Sequence, residues 1–267
     1  MTSYSDYWRK NRSRQKALEL AWGLRALRKV AAHIGEGVKP VYWKGMSDAD
    51  DQSILLDADK LPDRFPISAE NFDYLVGQVT LEGFASFEQT DAVKEEVQKS
   101  IGKLPAAAIP FLMEFLDAAE DIYIDALAQS SIWSLYLAQY WERALSGFVK
   151  DPLLPPTARS LFQVWKKRAI LGQEPEQLHL DYEIPLRILT PHTRTLRALV
   201  DYATPHQRKE RRSRLYETIW SELWETFSTW KMLHVNMDSV PKSDTPLDVS
   251  TNETQSLGDQ ALDPDLA

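Results

Sequence analysis

Apolar positions along the chain recur mostly at helical spacing. Leu20, Leu24, Leu27, Ala31 and Ile34 lie one turn apart and predict an amphipathic helix that ends at Gly35 and Gly37. The next segment changes period. Val38-Lys-Pro-Val-Tyr-Trp-Lys, a polar turn at 47–52, and Ser53-Ile-Leu-Leu-Asp read as two short strands, expected to form a small β-hairpin near 40–57. From Pro66 onward the pattern is helical again. Phe72, Leu75, Val76 and Val79 start one helix, and Pro110 suits the first turn of another that runs to about Leu127. A third runs from about Ile132 to Phe148. After the break at Pro152, Pro155 and Pro156, a further helix covers Thr157–Leu171. Prolines 185, 191 and 205 are expected to punctuate shorter pieces. The last helix, about 207–234, carries Tyr216, Trp220, Leu223, Phe227 and Trp230 on one stripe, a core stripe by composition. The fold class expected is mainly α-helical (α+β), one domain over 1–236, with no repeat or internal boundary.

Two acids break this binary pattern. Glu82 is the next residue on the face built by Phe72, Leu75 and Val79, and Glu120 interrupts the face of Met113, Leu116, Ile124 and Leu127. A buried carboxylate is costly unless it is paired, coordinated or protonated. Either the two share a site, or each pairs with a nearby arginine or caps a helix. Glu114, Asp117, Asp121 and Asp125 fall on the opposite face of the second helix, expected to be solvated.

Composition narrows the classes. Of 267 residues, 43% are hydrophobic and 26% charged, enough to bury a core without staples. The absence of cysteine excludes disulfides, thiolate zinc sites and a cysteine nucleophile. No apolar run reaches membrane-spanning length and no signal-peptide core opens the chain, so a cytoplasmic protein is expected. No phosphate-cradling glycine motif occurs, and no cofactor is expected.

Charge is uneven. Of the net −8, a net −6 lies in the tail 237–267, which carries seven acids and one base and is expected to be disordered. The first 45 residues hold ten bases and three acids. Arg9, Lys10, Arg12 and Arg14 are therefore candidates for binding an acidic partner. The run Arg208-Lys-Glu-Arg-Arg-Ser-Arg214 reads as the solvated first turns of the last helix. A near-neutral body argues against nucleic acid as the main partner.

Several stretches carry a resemblance when taken together. They are Trp43-Lys-Gly45, Ile54–Asp57, Phe65-Pro-Ile67, Phe72–Ser86 with Leu81-Glu82-Gly-Phe-Ala85 at its end, Thr90–Val93 and Ala119–Asp125. Over about residues 40–140 the chain resembles a metallopeptidase-like helical domain. That domain precedes a von Willebrand A domain in bacterial proteins associated with MoxR-type AAA+ ATPases, relatives of the cobaltochelatase and nitric-oxide-reductase activation subunits. The resemblance implies a zincin-like helical fold, with Glu82 matching the general base of a His-Glu-x-x-His helix and Glu120 matching an acidic metal ligand. Where that motif has its histidines, this chain has Leu81 and Ala85. Neither can ligate zinc, and His33, His179, His192, His206 and His234 have no ligand spacing with one another. Glu82 and Glu120 alone would hold at most a hard cation weakly.

The expectation is thus a non-catalytic, metallopeptidase-like adaptor or scaffold in a MoxR-type chaperone or metalloenzyme-maturation system. Its expected partners are an AAA+ ATPase, a von Willebrand A protein, or both. One alternative is a carboxylate-centred hydrolase or metal-dependent enzyme around Glu82 and Glu120. Another is a binder of nucleic acid or an acidic partner through the basic N-terminal helix.

Overall fold

The computed structural model describes residues 14–46, 49–50, 52–58, 66–102, 104–105, 108–146, 156–175, 177–202 and 204–229. Among them are eight α-helices and two short strands. In chain order these are α1 (Arg14–Ile34), β1 (Val41–Trp43), β2 (Ile54–Leu56), α2 (Ala69–Phe87), α3 (Thr90–Ile101) and α4 (Ile109–Ala128). They continue with α5 (Ser134–Ser146), α6 (Ala158–Leu171), α7 (Glu183–Ala198) and α8 (Pro205–Thr229). Short 3₁₀ turns, Leu180–Tyr182 and Leu199–Asp201, flank α7. The expected tail 237–267 lies outside the described residues, as do Arg9, Lys10, Arg12 and Trp230.

Helix α4 is the centre of the larger core. Phe111, Leu112, Phe115, Leu116, Ala119, Ile122, Tyr123 and Ile124 are all buried, so most of its circumference is covered. Phe115 stands among Phe162 and Trp165 of α6 and Tyr216 and Trp220 of α8, with ring centroids 5.8–6.2 Å away. Each such ring contributes about 1.5–3 kcal/mol by burial. A smaller core lies under α1, where Leu20, Leu24 and Leu27 meet Val41, Trp43, Ile54, Leu56, Leu75, Val76 and Val79. Helix α2 joins the two, since its Leu81 belongs to the larger core. Local signals set several boundaries. Thr157 and Ser160 form a reciprocal capping box at the start of α6, and Gly172 ends it with φ of 62°.

The strands are not a hairpin. β1 and β2 run parallel, in register Val41↔Ile54, Tyr42↔Leu55 and Trp43↔Leu56. Alternation of apolar and polar positions reports a half-buried strand but is silent on its direction. The chain leaves β1 through Gly45, at φ of 88°, and returns so that both strands start from the same end. Val41, Trp43, Ile54 and Leu56 are then all buried together. Trp43 also donates its indole N–H to the Leu20 carbonyl (3.2 Å), and Arg28 donates through Nε to the Val41 carbonyl (2.9 Å), fixing the pair to α1.

Of the prolines after 180, Pro205 opens α8 as expected, whereas Pro185 and Pro191 fall within one helix. Pro185 occupies the first turn of α7, where an amide N–H has no helical acceptor to meet, and Pro191 is accommodated inside the same 16-residue helix. Packing of Leu186, Leu189 and Leu196 into the core outweighs the missing hydrogen bond.

Helices α2 and α5 approach at Gly77, where a Cβ would collide with the backbone oxygen of Tyr136 and with Cβ of Tyr140. Because backbone on both sides must shift, Gly77→Ala is expected to lower unfolding free energy by about 2–3 kcal/mol in urea denaturation. By contrast, Gly23→Ala, inside α1 and with the Phe72 ring at an ordinary 3.6 Å, is expected to raise stability by about 0.5–1 kcal/mol.

Candidate functional site

The C-terminal end of α2 and the start of α8 meet at a buried ionic cluster. Glu88 caps α2, its N–H bonded to the Phe84 carbonyl (2.9 Å), and it is 1% exposed. Gln89 follows in the left-handed region at φ of 57°, the single non-glycine positive φ among the described residues. This turn lets Thr90 open α3 directly beside Glu88.

From α8, Arg208, Arg212 and Tyr216 recur every four residues and so share one face. Arg208 forks onto the Glu88 carboxylate, with Nη2 on Oε1 and Nε on Oε2 (3.2 Å), and gives Nη1 to the Tyr202 carbonyl (2.8 Å). Arg212 donates to the Glu88 carbonyl (2.5 Å) and reaches its carboxylate at 3.5 Å. Its other arm donates to Glu120 Oε2 (2.7 Å). Glu120 also accepts from Thr90 Oγ1 (2.5 Å) and from the Tyr216 hydroxyl (2.6 Å). Tyr123 donates to Glu88 Oε2 (2.8 Å) while its ring lies 4.3 Å from the Arg212 guanidinium carbon. Burial pushes the Tyr123 and Tyr216 hydroxyls up, so both stay protonated donors.

Glu120 therefore resolves its burial through an arginine and two hydroxyls. The run 208–214 is not a solvated face: Arg208 and Arg212 are buried, and only intervening members such as Arg211 and Arg214 are exposed. The signal for this was the stripe itself, since Arg212 stands four residues before Tyr216 on the apolar line. Glu88 carried no such signal.

Beside the cluster, α2, α3, α4, α5 and α6 surround a cleft of about 510 Å³. Leu81, Glu82 and Ala85 of α2 line one wall, and Tyr140 and Trp141 of α5 line another. Across the floor run Glu114, Asp117, Glu120 and Asp121 of α4. The expected solvated face of α4 thus lines the cleft and is cross-braced. Lys94 of α3 binds Asp117 (2.5 Å) and Lys166 of α6 binds Asp121 (2.7 Å). Burial opposes the Lys94 charge, yet Asp117, Glu120 and Asp121 together hold its pKa above the ordinary lysine value.

Glu82 and Glu120 share this cleft, but their carboxylates do different work. Glu82 is open to solvent at the cleft wall, which corrects its assignment to a buried face. Its carboxyl is nonetheless raised, first by partial removal from water and then by the neighbouring Asp121 carboxylate, against Lys39 and Lys94. Outside the cleft, Asp125 is 7% exposed and its carboxyl is pushed up to about 6 by burial, opposed by Arg197 and by the Gln129 amide.

These donors do not fit zinc. Leu81 and Ala85 offer no lone pair, Glu120 is held by Arg212, and among the described residues no histidine lines the cleft. Among the described residues no group of three or more His, Asp or Glu is arranged to hold a metal ion. His33 packs edge-on to Trp133 (5.9 Å), His179 accepts from the Asp181 N–H, and His192 faces Glu222 at 3.1 Å. Ser86 accepts the Lys39 N–H (3.1 Å). Of the basic N-terminal candidates, Arg14 opens α1 and the others lie outside the described residues. No helix among the described residues is long and apolar enough to cross a membrane. No protein-family model matches the chain, and no curated protein or solved structure matches it significantly.

Removing Arg212 leaves Glu120 and part of Glu88 buried without their cation. Arg212→Met is expected to cost about 3–5 kcal/mol in chemical denaturation. Arg214→Met, which removes an exposed pair with Glu210, is expected to cost less than ~0.5 kcal/mol. Asp125 supplies a pH test. Its folded pKa lies above the ordinary 3.8, so the folded state holds the extra proton between those values. Stability from this group is complete below pH 3.8 and is lost as pH rises through about 6, a change of up to about 3 kcal/mol. Asp125→Asn, which cannot ionise, is expected to gain on the wild type by that margin between pH 4 and pH 7.5 in urea melts.

Proposed function

We propose that the chain is a non-catalytic, metallopeptidase-like adaptor that works with a MoxR-type AAA+ ATPase, a von Willebrand A protein, or both. One observation supports this reading above others. The positions matching the peptidase motif, Leu81, Glu82 and Ala85, line one cleft together with Glu120, the match to its acidic ligand. Two of these four carry no donor. A third is held by the guanidinium of Arg212. A pocket lined by these positions without a ligand set is the arrangement expected of a binding surface on such a scaffold.

The alternative of a carboxylate-centred enzyme needs Glu82 and Glu120 to act on a common reacting group. Glu120 already accepts from an arginine and two hydroxyls, so its oxygens are taken up by these three donors. Glu82 alone offers one acid with no positioned partner.

The test is affinity purification of the full chain from its native host, beside metal analysis of the purified protein. The expected result is recovery of an AAA+ ATPase or a von Willebrand A protein with substoichiometric metal. Near-stoichiometric metal that is lost in both Glu82→Ala and Glu120→Ala overturns the reading, as does recovery of neither partner.

A further inference from the structure

The acids of the cleft can be paired off one by one. Asp117 is held by Lys94 and Asp121 by Lys166, both within 2.7 Å. Asp91 takes Lys39 at 2.8 Å, and Glu120 takes Arg212 at 2.7 Å. Glu114 has the Arg159 guanidinium as its strongest neighbouring charge. Four of the six lining carboxylates are thus ion-paired; of the remaining two, Glu114 has a cation as its strongest neighbouring charge and Glu82 does not. Among the described residues Glu82 makes no hydrogen bond and no ion pair, and the charge that acts on it most strongly is another acid, Asp121.

A second feature is independent of charge. Gln163 on α6 lines the same cleft, and its side-chain carbonyl Oε1 is buried without a hydrogen-bond donor. A buried acceptor left unpaired costs about 1–3 kcal/mol, so an occupant that brings an N–H recovers it. Tyr140 and Trp141 complete the wall, the Trp141 ring already carrying the Lys166 ammonium at 5.3 Å. The two lysines that act on Glu82, Lys39 and Lys94, are already paired with Asp91 and Asp117.

We propose that the cleft receives a basic side chain, arginine or lysine, of a protein partner, with Glu82 as its counter-ion and Gln163 Oε1 as a second acceptor. This rests on reading the cleft as a docking surface rather than a catalytic one. The cation brings only donors, which suit a carboxylate and an amide carbonyl, and a volume near 510 Å³ admits such a side chain with part of its flanking backbone. Glu82 reaches solvent, so entry needs no opening of the fold.

The test titrates the purified full chain at low ionic strength with capped Gly-Arg-Gly and Gly-Lys-Gly peptides, followed by calorimetry or amide chemical shifts. A capped Gly-citrulline-Gly peptide matches arginine in shape without its charge, and putrescine presents the cation without a peptide. The expected result is saturable one-to-one binding of a basic peptide, none of the citrulline peptide, and affinity weakened about tenfold in Glu82→Gln. Glu95→Gln, on the outer face of α3 beside Lys99, is expected to bind as the wild type does. An unchanged melting curve for Glu82→Gln assigns the loss to binding rather than to folding. Equal binding of the citrulline peptide, equal affinity in Glu82→Gln, or no saturation by either basic peptide would falsify the proposal. Binding of putrescine alone overturns it too, since the site would then serve a free amine. No ATPase is present in this titration, so its failure leaves the co-purification result standing, and the reverse holds.

Discussion

Arg212 is the residue on which the arrangement of the other helices depends. Its guanidinium is wholly buried and reaches Glu88 at the end of α2, Glu120 in the middle of α4 and, through its face, the Tyr123 ring. These contacts join positions 92 and 124 residues apart in the chain. A charge in that place is tolerable only if every neighbour is present at once, because each lost partner leaves a desolvated ion behind. The cluster is therefore a condition on register. Helix α8 cannot slide by one residue against α2 without withdrawing Arg208, Arg212 and Tyr216 together. Buried pairs of this kind contribute little net stability compared with apolar residues of the same size, but they are severe on alternatives.

The same cluster decides what the cleft can do. By drawing Glu120 toward Arg212 and Tyr216, it takes one of two prominent carboxylates out of circulation while leaving it in the wall. Acids along α4 are then neutralised from alternate sides, Asp117 from α3 and Asp121 from α6. Those bridges hold the flanking helices apart at a set spacing, so the cavity is propped open by ion pairs instead of filled by side chains. Partial burial keeps such pairs from being screened to insignificance, unlike pairs on a free surface.

How much of this was legible in the sequence depends on the kind of signal. Helical period placed α1, α2, α4, α5, α6 and α8 to within a few residues, because an amphipathic stripe is a local property. Glu120 was conspicuous because it broke such a stripe, and its need for a partner was sound physics. Its partner was hidden, since Arg212 sits in a basic run whose members differ only in which side of α8 they occupy. The apolar stripe of Tyr216, Trp220 and Leu223, extended one turn back, falls on Arg212 and would have separated it from Arg211 and Arg214. Glu88 could not be found in this way, because its burial comes from a chain turn at Gln89 that no residue preference announces. Strand direction was equally hidden: alternation has no sense, and only the path through Gly45 and the two faces offered by α1 and α2 select the parallel pair. Glu82 failed in the opposite sense. It continued an apolar face by spacing, but that face ends where the α2–α5 packing opens into the cleft.

A physical asymmetry between Glu82 and Glu120 follows from where a cation can be built in. Replacing a metal by a side-chain cation requires a donor whose backbone is already close and whose approach is sealed from water. Helix α8 meets that need for Glu120 because it packs against α3, α4 and the end of α2, and one turn of it supplies both Arg208 and Arg212. No such helix overlies Glu82. Its nearest lysines, Lys39 and Lys94, are held by Asp91 and Asp117, and moving either would expose another acid to the same deficit. Within the described residues, then, compensation can only be passed from one carboxylate to the next and never completed. Glu120 is thus balanced from within, by Arg212. The Glu82 carboxylate faces solvent at the cleft wall. Under the proposed docking, selection of a partner by charge would follow directly from how the fold balances its interior.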